Sequence, residues 1–295
     1  MVVPGMFGGR LVDPRGALVW GSLWRLYRGP SLADADARPA GLIDRIAGLD
    51  VHGGLLAALA AAGLRALPFD HDWRTGYRAG GQALRGFIAS LGEPVDLVAI
   101  STGGGVAGCA LGGGRVGRVV YIGAPQLGSF DALACLQRGF RFAPFGKHYA
   151  GREAALCQTT FDALPRWPVL DGSDLFDART WRRLRLCEEV PGLADRLERA
   201  RELHREALPA HDAVAIGATN LSTPARMVID RGAARVPRPA DGPAFFEPGD
   251  GSLGEQSLRG LATAEVRLAE VRAHARLPAS RRVHELVVEA LLAAG

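Results

Sequence analysis

The stretch VDLVAISTGGG, residues 95–105, is an unbroken apolar run apart from Asp96 up to Ile100, then a serine and a threonine, then glycine. A run of that length closed by a turn signal predicts a strand buried on both faces, and the small residues after it predict an abrupt entry into a helix. The sequence on either side agrees. Upstream, GGLLAALAAAG (53–63) is rich in Ala and Leu between glycines and predicts a helix, followed by a short strand in LRALPF (64–69). In residues 76–92, Leu84, Phe87, Ile88 and Leu91 recur at helical intervals, and downstream RVVYIGA (118–124) is a second buried-strand pattern. Helix and strand in alternation imply right-handed crossovers and a mostly parallel sheet, so the expected class is α/β.

Composition narrows what such a chain can be. With 295 residues, 48% hydrophobic and 22% charged, it can bury a large core, which excludes a disordered, collagen-like or coiled-coil chain. The uncharged run 97–114 is interrupted by Ser101, Thr102 and several glycines, so no transmembrane helix is expected and the chain reads as soluble. Formal charge is +4, but the arginines are scattered and Lys147 is the sole lysine. Arg182, Arg183 and Arg185, and again Arg281 and Arg282, fall in helical-looking segments as solvated faces, so no nucleic-acid partner is expected. Cys109, Cys135, Cys157 and Cys187 have no CxxC spacing, which predicts neither a disulfide framework nor a zinc site. The Met-Val-Val opening shows no basic or hydrophobic leader region, and a cytoplasmic location is the corresponding expectation.

Strand signals fade after Ala124 and resume in DAVAIGAT (212–219) and ARMVID (225–230); RVHELVVEALL (282–292) predicts a closing helix. The intervening stretch is too long for a sheet connection. The chain therefore divides into a first core part (1–124), a cap or lid insertion (125–211) and a second core part (212–295). The cap holds Phe130, Phe140, Phe142, Phe145, Tyr149, Phe161, Trp167, Phe176 and Trp181, which can either build its own core or face a ligand. Within the first part, residues 20–45 are a possible lid, where Trp20, Trp24 and Tyr27 could form an interface-binding patch or simply a core.

Ser101 occupies the strand-to-helix bend. A nucleophile there needs small residues two before and two after it, and Ala99 and Gly103 satisfy this; Ser90 and Ser252 fail because Ile88 and Asp250 precede them. Such a bend lifts the hydroxyl off the sheet and aims the next backbone N–H, that of Thr102, at a developing oxyanion. Gly103, Gly105 and Gly108 also spell GxGxxG, the dinucleotide fingerprint, but the following strand ends in Gly-Ala-Pro with no acid to hold a ribose, so no cofactor is expected. The partners should follow in the order acid, then histidine. Asp250, between glycines in EPGDGS, can approach an imidazole, whereas Asp230 lies in a strand pattern and Asp241 in a Pro-rich linker. His274, in a loop after a strand, is preferred over His284 on the closing helix. The second oxyanion donor should come from the Gly-rich opening VPGMFGG (3–9), with Phe7 best placed.

Several separated motifs then occur in one order: VVPGMFGG, FDHDWR (69–74), AISTGG, YIGAPQLGSF (121–130), LPRWPVLD and TWRRL, GDGS from Gly249, and HARLP from His274. Taken together the chain resembles the lecithin:cholesterol acyltransferase family of α/β-hydrolases, in particular its bacterial members. The resemblance covers most of the chain and implies Ser101, Asp250 and His274 as the triad and the backbone of Phe7 and Thr102 as the oxyanion hole. Asp72 and Trp73 look like family structural residues. Two positions depart from the family: Ile100 stands where His is common before the nucleophile, and Ala99 where Gly is common. Residues 8–60 hold no cysteine for the lid disulfide of animal members. The implied activity is a serine-dependent acyl hydrolase or acyltransferase on lipid-type esters, with water or an alcohol as acceptor and transient membrane-surface contact. An esterase or thioesterase for a small acyl group, and a non-catalytic ligand-binding protein on the same scaffold, are the alternatives.

Overall fold

Leu97 and Ala99 face one side of the strand Val95–Ile100 and Val98 and Ile100 the other, and all four are buried. That two-sided burial, read in the sequence as a continuous apolar run, is what a central parallel strand requires. The computed structural model describes residues 1–29, 32–113, 115–141, 147–206, 209, 211–262 and 264–293. Its central sheet has five strands in the spatial order Val2–Val3, Val95–Ile100, Val116–Ile122, Ala213–Gly217 and Glu265–Leu268, every pair parallel.

The two faces of this sheet are separate cores. On one, Val2, Val98, Ile100, Val120, Ile122 and Ile216 pack with helices Gly53–Ala61 and Arg281–Leu292. On the other, Val3, Leu97, Ala99, Val119 and Tyr121 pack with helices Tyr77–Leu91 and Gly103–Ala110. Each fully buried aliphatic side chain here contributes about 1.5–3 kcal/mol relative to exposure. The closing helix forms where its sequence pattern placed it, burying Val283, Leu286 and Val287.

Two expected strands need correction. Residues 64–69 make no full strand: Val2 N–H donates to Leu67 O at 2.8 Å, Phe69 N–H donates to Val2 O at 2.9 Å, and Pro4, the next residue that would donate to this segment, has no N–H with which to extend the ladder. The segment borders the sheet beside Val2 without joining it further. In ARMVID only Val228–Asp230 is extended, pairing with Ala233–Arg235 in a hairpin outside the central sheet.

The region after Ala124 has its own core, in which Phe130, Phe161, Trp181, Leu164 and Leu197 are buried, with Phe140, Trp167 and Phe176 packed against it. Met227 and Ala234, from beyond residue 211, complete it. Tyr149 belongs instead to a cluster with Trp20 and Trp73; Phe142 and Phe145 lie outside the described residues. Residues 20–45 split similarly. Trp20 is buried, while Leu23, Trp24 and Tyr27 on the short helix Leu23–Arg28 are more than half exposed. The three aromatics, read in the sequence as either a patch or a core, are one core residue and two surface residues.

Candidate active site

Ser101 carries φ +51°, a left-handed conformation that costs a residue with a Cβ roughly 1–2 kcal/mol. The bend is held by its own backbone: Ser101 N–H donates to Ile122 O at 2.8 Å and Gly104 N–H to Ser101 O at 2.9 Å. A Cβ at position 103 would sit 2.6 Å from the carbonyl oxygens of both Val3 and Pro4, so glycine is required there by the opening loop that crosses above the bend. Gly105 is required for a different reason, since its Cβ would lie 2.2 Å from the Tyr77 ring. Gly103 and Gly105 of the apparent dinucleotide fingerprint thus serve close packing around the helix Gly103–Ala110.

The raised hydroxyl meets an imidazole. Ser101 Oγ lies 3.0 Å from His274 Nε2, and His274 Nδ1 lies 2.6 Å from Asp250 Oδ2. The three side chains expected from the sequence are brought into one hydrogen-bonded line. His274 opens a 3₁₀ helix, His274–Ala279, a few residues beyond the last strand of the sheet. Asp250 follows the strand Phe246–Gly249, which pairs with Leu221–Pro224 and not with the central sheet. Its carboxylate is buried, and Oδ1 accepts from Ser252 N–H at 3.0 Å and Leu253 N–H at 2.7 Å, leaving Oδ2 for the imidazole. Burial pushes His274 toward its neutral form, but the charge and hydrogen bond of Asp250, with the charge of Asp131 behind them, outweigh it and raise the imidazole pKa above its ordinary value. The residues passed over are engaged elsewhere: Asp241 pairs with Arg235, and His284 Nε2 donates to Pro278 O.

Phe7 and Thr102 line the same cavity as Ser101 and His274. Thr102 is the N-cap of its helix, so its N–H stands outside the helical ladder. Phe7 has φ +70°, and its carbonyl accepts from Trp20 Nε1 at 3.1 Å. Met6 N–H donates to Thr102 Oγ1 at 2.6 Å, tying the opening loop to the bend. Trp20 therefore supports this loop from beneath. Only the excess of aromatics in residues 20–27 hinted at that. Asp72 and Trp73 are structural: Asp72 holds Arg74, whose guanidinium also donates to the carbonyls of Leu32, Asp34 and Ala37, and Trp73 Nε1 donates to Gly9 O.

The hydroxyl opens into a cavity of about 390 Å³ walled by side chains such as Met6, Phe7, Trp20, Ile46, Phe140 and Leu253. Among the described residues no Lys or Arg lines it. Nor, among the described residues, do three His, Cys, Asp or Glu side chains gather as a metal would require.

No protein-family profile and no curated protein sequence matches the chain. Solved structures do. The chain is similar to the crystal structure of a Tle4–Tli4 complex, with a TM-score of 0.67 and 12% identity over 99% of this chain and 97% of that one. A lipase of Bacillus licheniformis, BlEst2 in its mature form, is also found, with a TM-score of 0.41 and 14% identity over 76% of this chain and 77% of that one. The parallel sheet, its flanking helices and the serine-bearing bend at the end of a central strand define the α/β-hydrolase fold.

Proposed function

We propose that the chain is a serine-dependent acyl hydrolase or acyltransferase of the lecithin:cholesterol acyltransferase type, acting on lipid-type carboxylic esters. The observation that carries this reading is the line of hydrogen bonds from Ser101 through His274 to Asp250, ending at an apolar cavity. In it, His274 Nε2 takes the Ser101 proton as Oγ attacks the ester carbonyl, Asp250 holds the Nδ1–H tautomer and stabilises the imidazolium, and the N–H groups of Phe7 and Thr102 receive the oxyanion. The imidazolium then protonates the departing alcohol. Water or a second alcohol, deprotonated by the same His274, releases the acyl group from Ser101.

The wall favours a long uncharged acyl chain over an acyl group delivered on a polyanionic carrier, because it offers apolar surface and, among the described residues, no Lys or Arg. A series of nitrophenyl esters should therefore show kcat/KM rising with chain length, as each added methylene finds about 0.8 kcal/mol of burial, until the cavity is filled. A preference for acetate over octanoate would select the small-ester reading, and no turnover of any member would sink the enzyme.

Contact with a lipid surface is supported by Leu23, Trp24 and Tyr27, exposed on one short helix with Arg25 and Arg28, the latter's guanidinium 4.3 Å above the Trp24 ring. The double substitution Trp24→Ala, Tyr27→Ala should weaken co-sedimentation with phospholipid vesicles at least about tenfold, given about 1.5–3 kcal/mol for each large side chain buried. Turnover of a water-soluble short ester should be unchanged. Equal vesicle binding by wild type and variant would remove this helix from the interface.

A further inference from the structure

Asp131 stands in the wall of the same cavity, and the reaction scheme leaves it without a role. It is the second residue of the helix Phe130–Arg138, whose N-cap Ser129 accepts from Asp131 N–H at 3.1 Å. From this helix start two hydrogen bonds reach across to a single residue of the Asp250 loop. Asp131 Oδ2 accepts from the Ser252 hydroxyl at 2.9 Å, and Ser129 Oγ donates to Ser252 O at 2.8 Å. Ser252 in turn donates its N–H to Asp250 Oδ1. Ser252 thus bridges Asp131 to the carboxylate of Asp250, by its hydroxyl on one side and its N–H on the other. Among the described residues no Lys or Arg shares the cavity wall with Asp131.

Resting on the reading of the site given above, we propose that Asp131 is a positioning residue: through Ser252 it holds the Asp250 loop in register with His274, and its carboxylate supplies a second negative charge toward the imidazolium formed during acyl transfer. The arrangement suits that task. The turn that carries Asp250 is closed by its own hydrogen bonds, Asp250 N–H to Leu253 O at 3.0 Å and Gly251 N–H to Thr223 Oγ1 at 2.9 Å, and the start of a helix adds a rigid place from which to brace Ser252. A carboxylate is also well tolerated at the positive end of a helix, so the charge costs the fold little. The charged groups that bear on His274 are Asp250 from its loop and Asp131 from the helix. Asp50 and His52 stand elsewhere on the cavity wall.

Asp131→Asn keeps the size of the side chain and an oxygen for the Ser252 hydroxyl, so the fold is retained and only the charge is lost. It should lower kcat on a nitrophenyl ester about three- to tenfold, well below what a charge in direct contact would give at an effective dielectric near 20, because Asp131 acts across Ser252, and leave KM close to wild type. Removing negative charge makes the imidazole harder to protonate, so the acid limb of the kcat/KM profile should move to lower pH. Ser252→Ala, which keeps the charge and removes the tether, should lower kcat with the acid limb unmoved, and Asp131→Glu should restore the limb toward wild type. An acid limb that stays in place in Asp131→Asn overturns the proposal whatever happens to kcat, and so does wild-type kcat in Ser252→Ala. If the wild type turns over no ester, the site reading itself falls; if the wild type is active and Asp131→Asn matches it, only this inference falls.

Discussion

Ser101→Ala is expected to abolish labelling by a fluorophosphonate probe and to lower kcat on a nitrophenyl ester by about five to six orders of magnitude, the scale seen when a triad nucleophile is removed. The fold should survive, because what holds the bend is not the hydroxyl. Ser101 N–H and C=O make their hydrogen bonds through the backbone, and glycine at position 103 still admits the opening loop. Alanine bears the same φ near +51° at a similar cost, so the melting temperature should stay within a few degrees of wild type. Some turnover above the uncatalysed rate should remain, since the proposed oxyanion donors at Phe7 and Thr102 and the cavity are untouched. Equal labelling of wild type and variant would place the reactive nucleophile elsewhere and dismantle the proposed mechanism. Loss of labelling with full loss of secondary structure would say only that the bend had collapsed, which circular dichroism distinguishes.

The serine was legible in the sequence because its constraint is local. A buried strand, a hydroxyl and small residues on either side are all contained within a few positions, and the physics of the bend admits few alternatives. Asp250 and His274 were legible less directly. Chain order, flanking glycines and the exclusion of Asp230, Asp241 and His284 selected them, and the ordered motifs pointed the same way. What the sequence left open involves contacts that join distant segments. Trp20 read equally well as a surface aromatic or a core one until Phe7 O and the Trp73 ring were beside it. Residues 64–69 form an apolar run whose composition suits a strand, yet they make only two bonds with Val2, because the next donor on the opposing strand would be Pro4, far away in sequence and without an N–H. Asp131 and Ser252 are 121 residues apart, and neither carries any local mark of the other. The region after Ala124 shows the same limit in reverse: its aromatics were visible, but that most of them serve a core of its own follows only from how its helices pack.

Asp250→Asn should lower kcat near neutral pH by about 10⁴, although the substitution changes one atom. The reason lies in how the carboxylate is divided. Oδ1 is committed to two backbone donors, Ser252 N–H and Leu253 N–H, and cannot be exchanged for an NH₂ group without setting donor against donor in a buried site. The asparagine oxygen must therefore stay at that position, which turns its NH₂ toward His274. There it can only donate, so Nδ1 must carry the lone pair and Nε2 the proton. With Nε2 protonated, His274 donates to Ser101 Oγ in place of accepting from it, and the base is lost while the 3.0 Å spacing is kept. Two further results should accompany the fall in kcat. With the charge of Asp250 gone, burial, already the largest single influence on the imidazole, is no longer outweighed, so the acid limb of the residual activity should move to lower pH than in the wild type. KM for a short ester should change little, because the cavity wall is intact and the lost interaction belongs to the transition state. A variant retaining more than about a tenth of wild-type kcat would mean that His274 does not need this tautomer, and the assignment of Asp250 to its orientation would have to be abandoned.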